Sequence, residues 1–180
     1  MKIESERLII RYFEESDGGD LFDYLSKEEV VRYEPYKPYC YKQAVQEAKR
    51  RAEDKSFYAV VLRTGKVIGN LYLAQGEFET WELGYVFNSD FWGKGYAFES
   101  AKALITYAFE NLAARRIVAR CNPLNEPSWN LLERLAFRRE GTLVKNCYFF
   151  EDDNGNPIWQ DTYEYGLLKE EWRLNDDNCL

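Results

Sequence analysis

At 180 residues, with 46% hydrophobic and 31% charged side chains, the chain has the size and balance of one globular domain with a real core. Its net charge of −7 argues against sequence-independent nucleic-acid binding, which needs a basic surface, and is compatible with a basic peptide or amine as partner. Histidine is absent, which excludes Ser-His-Asp and Cys-His nucleophilic sites and imidazole metal ligands. Chemistry therefore falls to carboxylates, hydroxyls, Lys, Tyr, backbone donors or a borrowed cofactor.

Residues 1–7 carry no apolar signal region, and no run approaches transmembrane length, so a cytoplasmic protein without membrane contact is expected. Cys40, Cys121, Cys147 and Cys179 are too scattered for metal or redox spacing and read as reduced thiols. A single domain over 1–174 with a frayed tail at 175–180 is expected, without linker or repeat.

In chain order, residues 8–13 read as a short strand, and Ser16 or Asp17 can cap a helix carrying Leu21, Phe22 and Leu25. A second short helix follows over 27–33. Residues 33–41 form a Tyr-rich loop stiffened by Pro35 and Pro38, either a lid over a cleft or a packed connector. The helix over 42–55 is charged, with few large apolar groups, and is expected on the surface. Residues 57–62 and 67–74 read as strands around the turn Arg63-Thr64-Gly65-Lys66.

The next stretch organises the rest. Trp81, Leu83, Tyr85 and Phe87 alternate with Thr80, Glu82, Gly84 and Val86, the period of a strand with one strongly apolar face. A helix follows at once, with Ala97, Ala101, Leu104, Ile105, Ala108 and Leu112 inward and Glu99, Lys102 and Glu110 in water. Between them, Trp92-Gly93-Lys94-Gly95-Tyr96-Ala97 offers peptide N–H groups where a helix starts, a place that favours an anion. Gly93 and Gly95 allow φ > 0 and close approach, and Lys94 adds a mobile charge. A dinucleotide fingerprint would need a third glycine where Phe98 stands, and the Walker ending is missing. A diphosphate cradle and an ordinary strand-to-helix turn both fit this stretch on its own.

Residues 116–121 read as a short buried strand. Asn125 suits the cap region and Pro127 the first turn of a helix ending near Ala136, on which Ser128, Leu132 and Leu135 share the inward face. A closing hairpin pairs residues 137–150 with 158–168 across an acidic turn.

Two of these motifs carry a family likeness. Residues 92–97 resemble the acyl-CoA pyrophosphate loop of the GNAT superfamily of N-acetyltransferases, and Asn125-Glu126-Pro127-Ser128 with Leu131-Leu132-Glu133-Arg134-Leu135-Ala136-Phe137 resembles its next block. The opening Glu6-Arg7-Leu8-Ile9-Ile10-Arg11 and the Tyr-rich end look like the RimJ/RimL branch, which acetylates N-terminal amines of ribosomal proteins. The resemblance implies an α+β fold: a mixed, mostly antiparallel central sheet of six to seven strands, about four flanking helices and a splayed cofactor cleft. It implies acetyl-CoA as cosubstrate without a metal. Tyr85, Val86, Phe87, Trp92, Gly93, Lys94, Gly95, Tyr96, Ala97, Asn125 and Ser128 would bind it, with main-chain pairing to pantetheine at Val86 and Phe87.

The sequence also departs from the family pattern. Trp92 stands where Gln or Arg is usual, Leu132 where many members carry a tyrosine acid, and Ala136-Phe137 replaces Gly-Phe. Direct attack of an amine on the thioester is implied, with Glu82 as the expected base on the central strand and Ser128 as the expected proton donor to the leaving thiolate. A backbone N–H near Val86 or Phe87 would face the oxyanion. The acceptor is expected to be a peptide or protein N-terminus. A small amine such as a polyamine or antibiotic, a non-catalytic acyl-CoA-binding module and a plain structural domain are the competing readings, with a monomer or homodimer as the assembly.

Overall fold

Strand alternation sorts side chains onto two faces of a central sheet, and helices cover both. The computed structural model describes residues 1–172, so the tail at 175–180 and Cys179 lie outside the described residues. The strands are β1 (Lys2–Glu4), β2 (Leu8–Tyr12), β3 (Phe57–Leu62), β4 (Val67–Gln75), β5 (Thr80–Phe87), β6 (Arg116–Cys121), β7 (Arg138–Cys147) and β8 (Gln160–Leu168). The helices are α1 (Gly18–Leu25), α2 (Glu28–Val31), α3 (Tyr41–Glu53), α4 (Tyr96–Asn111) and α5 (Glu126–Arg134).

The strands form one eight-stranded sheet in the order β1-β2-β3-β4-β5-β6-β8-β7. Neighbours are antiparallel except β5 and β6, which run parallel and are joined through α4, as a parallel crossover requires. The fold class expected from the sequence holds, with eight strands where six to seven were expected. The additional strand is β1, whose Ile3 opposes Ile10, and three residues are too short to show a period. Four longer helices match the expected number. α2 is only a four-residue turn, shorter than the 27–33 expected.

One core lies under α4 and α5 and takes Leu8, Ile10, Val60, Ile68, Leu83, Leu104, Ile105 and Leu132. A second lies under α1 to α3 and takes Leu21, Leu25, Ala44, Ala48, Ala59, Val61 and Val67. β3 feeds both, which is why its sequence is apolar without a break. α3 is less superficial than expected. Ala44, Ala48 and Arg51 are buried, because a stripe of small residues lets the helix sit close to α1. Glu99 likewise leaves the water expected for it and is gripped by the β1–β2 turn, where its carboxylate accepts from the Arg7 amide (2.8 Å), Arg7 Nε (2.7 Å) and Ser5 Oγ (2.7 Å).

α5 ends as the sequence departure implies. The Phe137 amide donates to the Leu132 carbonyl and the Ala136 amide to that of Glu133, both at 3.0 Å. This is the closing pattern that calls for a left-handed residue, and Ala136 occupies it at φ 63°.

Candidate active site

β5 and β6 pair from Thr80 with Arg116 as far as Leu83 with Ala119, and there the pairing stops. β5 runs on to Phe87 held by β4 alone, so its other edge opens onto a gap in the middle of the sheet. The amide of Gly76 donates to Thr80 (2.8 Å) and that of Asn88 to Ile68 (2.9 Å), which sets the phase of the β4–β5 ladder. Glu82, Gly84 and Val86 therefore exchange their bonds with β4, and Tyr85 and Phe87 turn their main chain toward the gap. The Phe87 carbonyl is taken by Trp92 Nε1 at 2.8 Å. The free groups are the N–H and C=O of Tyr85 and the N–H of Phe87. Val86, expected to offer its main chain here, spends it on Asn70 and packs its side chain on the second core.

The chain then makes a 3-10 turn at Ser89–Phe91 and enters α4 through Gly93 (φ 73°) and Gly95 (φ 81°). Both backbone angles lie where only glycine is unstrained. Trp92 N–H donates to Ser89, and the first bond of α4 runs from Glu99 N–H to the Gly95 carbonyl. Among the described residues no hydrogen bond engages the six amides from Gly93 to Phe98, which leaves a run of donors at the positive end of a sixteen-residue helix.

Two clamps hold that loop. Arg7 Nη1 donates to the Lys94 carbonyl (3.0 Å) while its guanidinium lies over the Tyr96 ring, and the buried Asn88 side chain joins Lys27 to the Asp90 amide. Lys94 Nζ folds back onto the Asp90 carbonyl at 2.9 Å. Arg134, not singled out from the sequence, stacks on Phe98 at 4.9 Å beside the helix start. Its distance in sequence from the glycine loop hid it.

The start of α5 forms the facing wall. The Asn125 carbonyl accepts from the amides of Ser128 (3.0 Å) and Trp129 (3.3 Å), and its carboxamide makes no hydrogen bond among the described residues. Ser128 does point inward, where its Oγ lies 3.0 Å from the Tyr85 hydroxyl, which itself donates to the Ser128 carbonyl at 2.8 Å. Burial holds the Tyr85 phenol above its ordinary range against the opposing effect of Ser128. Burial also pushes the Cys121 thiol up to about 11, so it stays protonated and is no nucleophile. Leu132 is fully buried, so the helix offers no phenol there.

All the residues expected to bind the cofactor, 85–87, 92–97, 125 and 128, line a single cleft of about 1920 Å³. Glu82 stands just outside that lining, half exposed, with Arg120 3.8 Å away. Deeper in the cleft a group not foreseen from the sequence gathers around Arg51, whose Nε meets Glu47 (2.7 Å) and whose Nη1 meets Asn70 (2.9 Å). A strand edge, a run of open amides and an inward hydroxyl together fit an extended ligand that carries a phosphate group at one end.

Known proteins share this framework. The uncharacterized N-acetyltransferase YnaD of Bacillus subtilis is 36% identical over 176 residues, covering 96% of this chain and 99% of that protein. The uncharacterized N-acetyltransferase p20 of Bacillus licheniformis is 33% identical over 177 residues, covering 93% and 96%. The crystal structure of a GNAT-family acetyltransferase from Bacillus anthracis superposes with a TM-score of 0.85 at 32% identity, covering 94% of this chain and 99% of the other. The family model described as acetyltransferase (GNAT) domain matches residues 7–138. With the splayed β5–β6 pair and the glycine turn before α4, that match places the chain in the GNAT family of acetyltransferases.

Proposed function

We propose that this N-acetyltransferase moves the acetyl group of acetyl-CoA onto the N-terminal amine of a protein or peptide, as the RimJ/RimL-like opening of the sequence implies. The observation that carries the reading is the continuity of the free β5 edge with the six open amides at the head of α4. In this reading the amides from Gly93 to Phe98 receive the diphosphate, with Arg134 as the neighbouring cation. Tyr85 and Phe87 pair with the pantetheine amides, and the Asn125 carboxamide is free to join them.

The chemistry divides among few groups. The amine attacks the thioester carbonyl, the Tyr85 N–H, further from the diphosphate loop than Phe87, faces the oxyanion, and Ser128 returns a proton to the departing sulfur. A thiol with an ordinary value near ~8.5 asks little of that donor. Glu82, half open to solvent, is proposed to act on the acceptor through water. An α-amine near ~7.8 is about a quarter neutral at pH ~7.4, whereas a lysine near ~10.4 needs about 4 kcal/mol to become so, which favours the N-terminal acceptor.

A small primary amine is a second reading, favoured by one contact. The Tyr33 hydroxyl donates to the Leu124 carbonyl at 3.0 Å and ties together two loops of the cleft, narrowing the way for a long peptide. Thermal shift with acetyl-CoA, followed by thiol release against free peptides and small amines, tests both. Stabilisation with turnover on N-terminal peptides is expected. No shift and no turnover would refute the transferase assignment.

A further inference from the structure

Resting on the transferase reading, we propose that Glu34 takes the proton from the incoming amine, a step that an α-amine makes more readily than a lysine side chain or a polyamine. Glu34 sits on the loop between α2 and α3, with its amide on the Val31 carbonyl at 2.9 Å. That loop is fixed by Pro35 and Pro38, by the Tyr39 amide on the Leu25 carbonyl (2.9 Å) and by the Tyr36 and Tyr39 rings at 5.1 Å. The preceding residue, Tyr33, reaches Leu124 beside Asn125, so Glu34 lies where the loop meets the cofactor wall, and it lines the same cleft.

Register places the carboxylate further. Asn70 stands directly opposite Val86, between the two residues whose main chain opens to the gap, and Arg51, which bonds Asn70, acts on Glu34 through its charge. The other charges here are already matched. Arg51 holds Glu47, Arg50 holds Glu47 and Asp54, and Glu29 accepts from Ser89. Glu34 has no ion pair among the described residues and meets the Tyr36 hydroxyl, while Asp161, at the far side of the same cleft, is held by the Lys145 amide at 2.8 Å. The groups acting on it are Arg51 from α3 and Tyr36 and Tyr39 from its own loop, with Glu47 and Tyr24 gathered around Arg51.

Burial pushes the Glu34 carboxyl up to about 7, against the opposing pull of the Tyr36 phenol and the Arg51 charge. Proton transfer to such a base from an α-ammonium near ~7.8 has an equilibrium constant of about 1 in 6, and from a lysine ammonium near ~10.4 about 1 in 2500. The ratio between the two is set by the amines themselves, and a base in this range makes the α-ammonium step nearly level. The ammonium gives one proton to Glu34, which later passes it to water. The neutral nitrogen then forms its bond to the acetyl carbon, and the carbon–sulfur pair leaves with sulfur. The second nitrogen proton ends on that sulfur by way of Ser128.

The test compares wild type, Glu34→Gln and Glu82→Gln in kcat/KM against pH, using a short peptide with a free α-amine and an Nα-blocked peptide carrying one lysine. Wild type is expected to prefer the α-amine and to lose activity below pH about 7. Glu34→Gln is expected to fall by about 100-fold and to shift that acidic limb up to the value of the free α-amine near ~7.8, while its thermal shift with coenzyme A stays that of wild type. Glu82→Gln, which removes only the contact relayed through water, is expected to slow turnover without moving the limb. Wild-type rate and profile in Glu34→Gln, or equal use of the lysine peptide, would overturn the assignment. No turnover by wild type on either peptide would instead refute the transferase reading, and the assignment with it.

Discussion

The hydroxyls of Tyr85 and Ser128 lie 3.0 Å apart across the cleft, and the phenol already donates to the Ser128 carbonyl. A phenol has one hydrogen, so in this arrangement the serine hydroxyl donates to Tyr85. Ser128 must turn from that contact to serve a thiolate, and the neutral Tyr85 acts as its resting partner.

Ser128→Ala is therefore expected to lower kcat by about 10- to 100-fold, toward the small end for a general acid because the thiol is a good leaving group. Affinity for acetyl-CoA should stay within a few-fold. Tyr85→Phe frees the hydroxyl and should cost less than about tenfold. Steady-state kinetics on both variants decide, and an unchanged kcat in Ser128→Ala would remove the donor role.

Gly95 carries the helix start at φ 81°, and a Cβ there would stand 3.4 Å from Arg7 Nη2. Gly95→Ala is expected to lose about 1–2 kcal/mol of stability from the left-handed backbone and to weaken acetyl-CoA binding by about tenfold or more. Gly93→Ala has similar backbone strain but open space around the added carbon, so its stability loss should be the smaller. Urea unfolding and calorimetric titration separate the two effects.

Glu99 gives a pH signature. Burial would raise its carboxyl, but the Arg7 amide, the Ser5 hydroxyl and the Arg7 guanidinium outweigh burial and hold it below the ordinary range. The folded state therefore binds fewer protons at this group than the unfolded chain does. The stability it contributes is present above the unfolded value near ~4.3 and is lost as pH falls through the lower folded value. Glu99→Gln should flatten the melting temperature against pH below about pH 4, and should loosen acetyl-CoA several-fold because the same grip steadies Lys94 and Tyr96. A slope identical to wild type would remove Glu99 from the acid response.

Ala136 holds a left-handed angle of 63° at the end of α5, where both closing hydrogen bonds are already formed. Ala136→Gly is expected to stabilise the protein by about 0.5–1 kcal/mol in urea unfolding, since relief of the strained angle exceeds the entropy that glycine adds. A loss of stability would mean that this methyl group packs usefully.

Much of this architecture was legible along the chain. Period-two alternation marked β5, and helical spacing marked α4 and α5. Gly93 and Gly95 marked the turn between β5 and α4, because each signal resides in neighbouring residues. β1 was hidden by its length and its charged ends. The choice of Tyr85 over Val86 depends on which main-chain groups β4 consumes, a matter of cross-strand phase that no single segment encodes. Glu34, Arg51 and Asn70 come from a loop, a helix and a strand, and each alone looks like an ordinary polar residue. Glu99 looked exposed by helical position, and its partners Ser5 and Arg7 lie more than ninety positions away in sequence.

The slit where β5 parts from β6 has one more consequence. Unpaired strand edges usually invite other chains to add themselves, and proteins blunt them with charge or twist. The outer edge here, β7, carries Arg138, Arg139, Glu140 and Lys145, whereas the apolar 85–87 edge has no such guards. It is covered instead, because the start of α5 stands over it, with Ser128 bonded to Tyr85. The same walls that shape a binding groove thus act as protection against aggregation.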